Sequence, residues 1–90
     1  MNAVASKKIE LLRAVEQICY QVAHYLLGND RDAAAASEDA LLELYRTPLF
    51  ETGSETDRQR LAKAAAMRCA MQRAGSLAGT TKRAAAGSRV

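Results

Sequence analysis

Few residues in this chain of 90 are equipped for chemistry. His24 is the single histidine, and Cys19 and Cys69 are the two cysteines. With no C-x-x-C pair and no Cys/His cluster, the parts for a metal site or a Cys–His nucleophile pair are missing. No nucleophile sits beside a base and no Gly-rich phosphate loop occurs, so the reading is a non-enzyme with no cofactor, no metal and no small-molecule ligand. What the chain has instead is segregated charge. Residues 28–57 carry eight acids, among them Asp32, Glu38, Asp39 and Glu43, against Arg31 and Arg46. From Arg58 to Val90 there are eight bases, including Arg60, Lys63, Arg68 and Arg73, and no acid. A basic last third suits nucleic acid, an acidic protein surface or anionic lipid; a solvated helix face with a solubilising tail is the plain alternative.

Composition says which elements must hold these groups. Of the hydrophobic residues, 19 are Ala, with three Tyr, one Phe and no Trp. Ala, Leu, Glu, Gln, Arg and Lys favour helix, and the shortage of β-branched and aromatic residues argues against a sandwich. Ser6 is a plausible N-cap for a first helix. There Ile9, Leu12, Val15, Cys19, Val22 and Leu26 recur at three and four, widened by Leu11, Ile18 and Tyr25. Gly28 with Asn29 and Asp30 closes it. A second helix runs from about Asp32 to Arg46, with Ala36, Ala40, Leu41, Leu44 and Tyr45 inward and Thr47-Pro48 as its stop. Residues 47–56 read as a loop containing Phe50, and Thr56 to Gln59 fits a capping box. The third helix spans roughly Asp57 to Ala74, with Leu61, Met67, Cys69 and Met71 on its apolar side and Gly75 as its stop. The fold expected is therefore all-α: a compact three-helix bundle over residues 1–75 and a flexible basic tail over 76–90. No signal peptide and no apolar run near ~20 residues is visible, so a cytoplasmic protein without membrane contact is expected.

The stretch Leu26-Leu27-Gly28-Asn29-Asp30-Arg31-Asp32-Ala33, continued through Ser37-Glu38-Asp39-Ala40-Leu41-Leu42-Glu43-Leu44-Tyr45-Arg46, carries a family pattern. It resembles region 2 of the sigma-70 superfamily, in the extracytoplasmic-function group of bacterial sigma factors, which reads L-L-G-D/N-x-x-D-A-E-D-x-x-Q-E-x-F-L-x-L-Y/W-R. Leu61 to Cys69 is similar to that family's W-L-x-x-[IV]-A-x-N-x-C/A helix, and Pro48 and Phe50 fall where it often writes L-P-x-F. The resemblance covers about residues 9–74. It implies a helical domain whose acidic helix docks on the β′ clamp of RNA polymerase core and whose last helix and preceding loop engage the −10 promoter element. Asp32, Glu38, Asp39 and Glu43 then become the polymerase-binding residues. Phe50, Arg60, Lys63, Arg68 and Arg73 become the DNA-binding ones.

The chain also departs from the pattern. Ala34-Ala35 replaces the acidic pair after D-A, Arg60 stands for Trp and Met67 for Asn. No −35 reader of the region 4 type follows, so a partner protein is expected to supply it. A second reading keeps the fold and drops promoter recognition: an adaptor that binds an anti-sigma factor or dimerises through the Ala/Met side of its last helix. Helical geometry separates the bases, since Arg60, Lys63 and less closely Arg73 group together while Arg68 lies nearly opposite Lys63. Three to five phosphate contacts, counting Lys82, Arg83 and Arg89, imply a log–log salt slope of roughly −2 to −4 on single strands.

Overall fold

The computed structural model describes the backbone of residues 3–89 and the side-chain surroundings of residues 7–75. It is all-α. Helix α1 spans Ala3–Leu27, α2 Asp30–Tyr45, α3 Pro48–Thr52 and α4 Glu55–Arg89, and no strand occurs among the described residues. The first helix thus begins before Ser6, the expected cap.

Gly28 ends α1 because it adopts φ 77°, a left-handed conformation a side chain would disfavour, and its N–H reaches the His24 carbonyl at 2.8 Å. Asn29 then caps α2, its side-chain oxygen accepting from the Asp32 N–H at 2.8 Å. The helix therefore begins at Asp30, two residues before the expected start at Asp32. Two linking residues force α1 and α2 side by side and antiparallel. Lys8 near the start of α1 accordingly meets the end of α2, donating to the Tyr45 carbonyl at 3.1 Å.

Residues 47–56 hold more order than the expected loop. Pro48 opens α3, a five-residue helix, because its fixed φ suits a first helical position whose N–H needs no partner. Gly53 closes it: a Cβ there would lie 2.7 Å from the Leu49 carbonyl oxygen and 2.9 Å from Asp57. The capping box of α4 is set two residues earlier than Thr56. Ser54 accepts from the Asp57 N–H at 3.1 Å while the Asp57 carboxylate accepts from the Ser54 N–H at 3.0 Å.

Helix α4 runs beside α1 in the same direction and against α2. Helices α1, α2 and α4 each pack on the other two, and α3 closes the end at α4 and α2. The seam is built mostly from small side chains: Ala23 of α1, Ala33, Ala36 and Ala40 of α2, and Ala62, Ala65, Ala66 and Ala70 of α4. Alanine faces let helix axes approach toward the short end of the ~8–10 Å range. Val15, Cys19, Leu44 and Phe50 fill the remaining space.

Two expectations need correction. The bundle has a fourth, short helix. The last long helix also passes through Gly75 to Arg89, so it does not stop at Ala74 as expected. Gly28 stops α1 by turning to positive φ, and no other glycine does so among the described residues. In helical geometry Gly75 costs only about 1 kcal/mol relative to Ala, and good helix formers precede it. The 35 residues of α4 make ~52 Å of helix, matching the long axis of 54 Å. The tail bases Lys82, Arg83 and Arg89 lie outside the residues whose side chains are described.

Candidate functional site

The acids of α2 divide into two sets. Asp32 is fully engaged: Asn29 donates its side-chain amide to one carboxylate oxygen at 2.9 Å, and Arg73 Nε donates to the other at 3.1 Å. The Asn29 amide, then Arg73, hold this carboxyl below the usual range. Glu43 is half-buried and forms an ion pair with Arg68, while the Cys69 thiol lies 4.0 Å from its other oxygen. Glu38 and Asp39 are different. Both are exposed and neither forms an ion pair among the described residues. Glu38 lines a shallow groove of about 370 Å³ between α1 and α2, with Glu16, Gln17, Tyr20, Ser37 and Leu41. Leu42, on the same outward side of α2, is also exposed.

The bases of α4 divide in the same way. Arg68 and Arg73 point back onto α2, tied to Glu43 and Asp32. Arg58 donates to the Gly53 carbonyl at 2.7 Å and belongs to the α3–α4 corner. Arg60 and Lys63 remain, exposed and on one flank of the helix. The structure therefore separates the five residues expected to meet DNA. Arg60 and Lys63 stay together, Arg68 and Arg73 serve the α2 contact, and Phe50 is removed outright. Phe50 is 0 % exposed, packed into the bundle end by α3, so it has no ring face for a base.

Other expectations shift as well. Tyr45 was placed inward, yet it is exposed with the Lys8 ammonium 4.4 Å over its ring. Tyr25, Met67 and Met71 were placed on apolar core faces, and they are 87 %, 49 % and 62 % exposed. His24 stands 3.0 Å from Asp30, which also accepts from the Tyr20 hydroxyl at 2.9 Å. Ala33 and Ser37, which the inward face of α2 was not expected to include, are buried. Their signal was the Ala spacing at 33, 36 and 40, masked by a longer Ala run.

Both thiols are buried and unbridged. Cys19 sits 3.7 Å from the Ala62 carbonyl, and burial pushes its thiol up to about 11. Cys69 is raised by burial too. Neither has the electropositive, accessible setting of a reactive thiolate. Among the described residues no group of His, Cys, Asp and Glu is arranged to hold a metal. No helix there is long and apolar enough to cross a membrane.

No family model, curated protein or solved structure matches this chain. Its function rests on its own residues.

Proposed function

We propose that the chain is a transcription module similar to sigma-factor region 2. It docks on the β′ clamp of RNA polymerase core through the outward face of α2 and touches −10 promoter DNA weakly through Arg60 and Lys63. A partner protein supplies −35 recognition. The observation that supports this reading best is the sorting of the α2 acids. Asp32 and Glu43 are consumed by α4, whereas Glu38 and Asp39 are left exposed beside Leu42, a compact acidic and apolar face. Such a face suits a basic helical partner, where charge sets encounter and orientation and the apolar group supplies contact area. Burial of Phe50 removes the stacking ring and internal pairing of Arg68 and Arg73 leaves few phosphate contacts, so polymerase must hold the module at DNA.

A binding titration against core polymerase or an isolated β′ clamp fragment tests this. Glu38→Arg and Asp39→Arg are expected to weaken binding at least tenfold each without unfolding the bundle, because both side chains are exposed. Absence of binding by the unmodified chain, or charge-reversed variants that bind equally well, would overturn the reading.

A further inference from the structure

The pair α1 and α4 has two sides. One is covered by α2, whose alanine face fills it. The other is open. There Val22, Tyr25 and Leu26 of α1 and Met67 of α4, with Gln21, line a groove of about 340 Å³. Met71 lies one turn further along α4 on the same flank, at 62 % exposure. Two parallel helices with an apolar trough between them present the surface into which a third helix sets its ridges, as α2 already does on the opposite side. Methionine thioethers adapt to varied partner side chains.

Charge narrows the occupant. Lys63 and Arg60 stand on the Met67 flank of α4, and α4 has no acid beyond Asp57. On α1, Glu16 lines the other groove with Glu38. Asp30, beyond Tyr25, is held by Tyr20 and His24. The α1 flank of the open groove thus adjoins the exposed Asp30 carboxylate at Tyr25, whereas its α4 flank carries only cations among the described residues, Lys63 and Arg60. Nucleic acid fits it less well: the trough is apolar, two cations border it, and Tyr25 is its one aromatic ring. We infer that this groove docks an amphipathic helix of a partner protein, its apolar stripe on Leu26 and Met67 and its acidic flank toward Lys63 and Arg60. The inference is independent of polymerase docking, which uses the opposite side of the molecule, but it takes the two cations that the DNA contact uses, so a docked helix and DNA compete for Lys63 and Arg60.

The probes are two labelled 18-residue helical peptides with one leucine stripe, flanked by Glu in one and by Lys in the other, titrated with the full chain. The Glu-flanked peptide is expected to bind at least tenfold tighter than the Lys-flanked one. Met67→Glu, and separately Met71→Glu, should weaken it at least tenfold. Both side chains are solvent-exposed, and circular dichroism reports that each variant keeps its helix content. Lys63→Glu should abolish the preference between the peptides, and Leu42→Glu on α2 should leave both peptide affinities unchanged. Equal binding of both peptides, no binding of the Glu-flanked one, or sensitivity at Leu42 instead of Met67 overturns the proposal. So does self-association in light scattering that Met67→Glu removes, which would assign the groove to a second copy. Loss of single-stranded DNA binding in Met67→Glu with neither peptide bound would assign it to nucleic acid.

Discussion

A lone phenylalanine between two helices has two outlets: it stacks on a ligand, or it plugs the end of the bundle. Phe50 takes the second, because Pro48 starts a helical turn that rotates it inward. Removing a buried ring leaves a cavity, so Phe50→Ala should lower stability by about 3–5 kcal/mol, read as a fall in the urea midpoint. Phe50→Leu keeps most of the volume and should cost no more than about 1.5 kcal/mol. If Phe50 met DNA bases, that mild variant would still lose single-stranded DNA binding; the buried position predicts unchanged binding. The residue types at the site were readable in the sequence, but their partners were not. A helical wheel placed Arg68 opposite Lys63, which holds. It had no means of showing that Glu43 waits across from Arg68, because that requires the packing of α2 on α4.

At the scale of elements, the sequence located three long helices and missed their ends. The reason is physical: stop and start signals are local permissions, and several residues compete for each. Asn29 caps α2 ahead of the expected start at Asp32, and Ser54 took the α4 cap from Thr56, each with its own reciprocal partner. Gly75 permitted a stop that α4 did not take. Both caps contain a carboxylate held below its usual range. In Asp57 the cause is chiefly the Ser54 N–H, then the Ser54 hydroxyl; in Asp32 it is the Asn29 amide, then Arg73. A folded value below the unfolded one means that the unfolded chain binds more protons, so the contribution is present above about pH 4 and lost as pH falls through the lowered values. The urea midpoint should therefore drop between pH 5 and pH 2. An Asp32→Asn, Asp57→Asn double variant should show a shallower drop. Equal steepness in the two proteins would assign the acid sensitivity to other carboxylates. Ser54→Ala, which leaves an N-terminal donor unmet, should cost about 1 kcal/mol at neutral pH.

Over the whole molecule, the linear charge pattern and the folded one differ. The acidic middle and the basic end suggest two binding surfaces for two partners. Folding lays the two blocks against each other, and Asp32–Arg73 and Glu43–Arg68 cancel four of those charges in one interface. What survives among the described residues is a smaller acidic face on α2 and a two-cation rim on α4. The salt dependence of DNA binding measures this directly. Each phosphate neutralised on a single strand contributes about −0.7 to the log–log slope. Arg60 and Lys63 together then account for about −1.4, and any remainder comes from other bases of the chain. Binding of a short single-stranded oligonucleotide, followed by fluorescence anisotropy over a range of KCl concentrations, should lose about that amount in an Arg60→Gln, Lys63→Gln double variant. An Arg68→Gln, Arg73→Gln double variant should keep the full slope, since those guanidinium groups are already neutralised by α2. If this second variant flattens the slope instead, the α2–α4 pairs open when DNA binds. Glu43 and Asp32 would then be released to the acidic face at the moment of binding, and DNA would strengthen polymerase docking through the same two ion pairs.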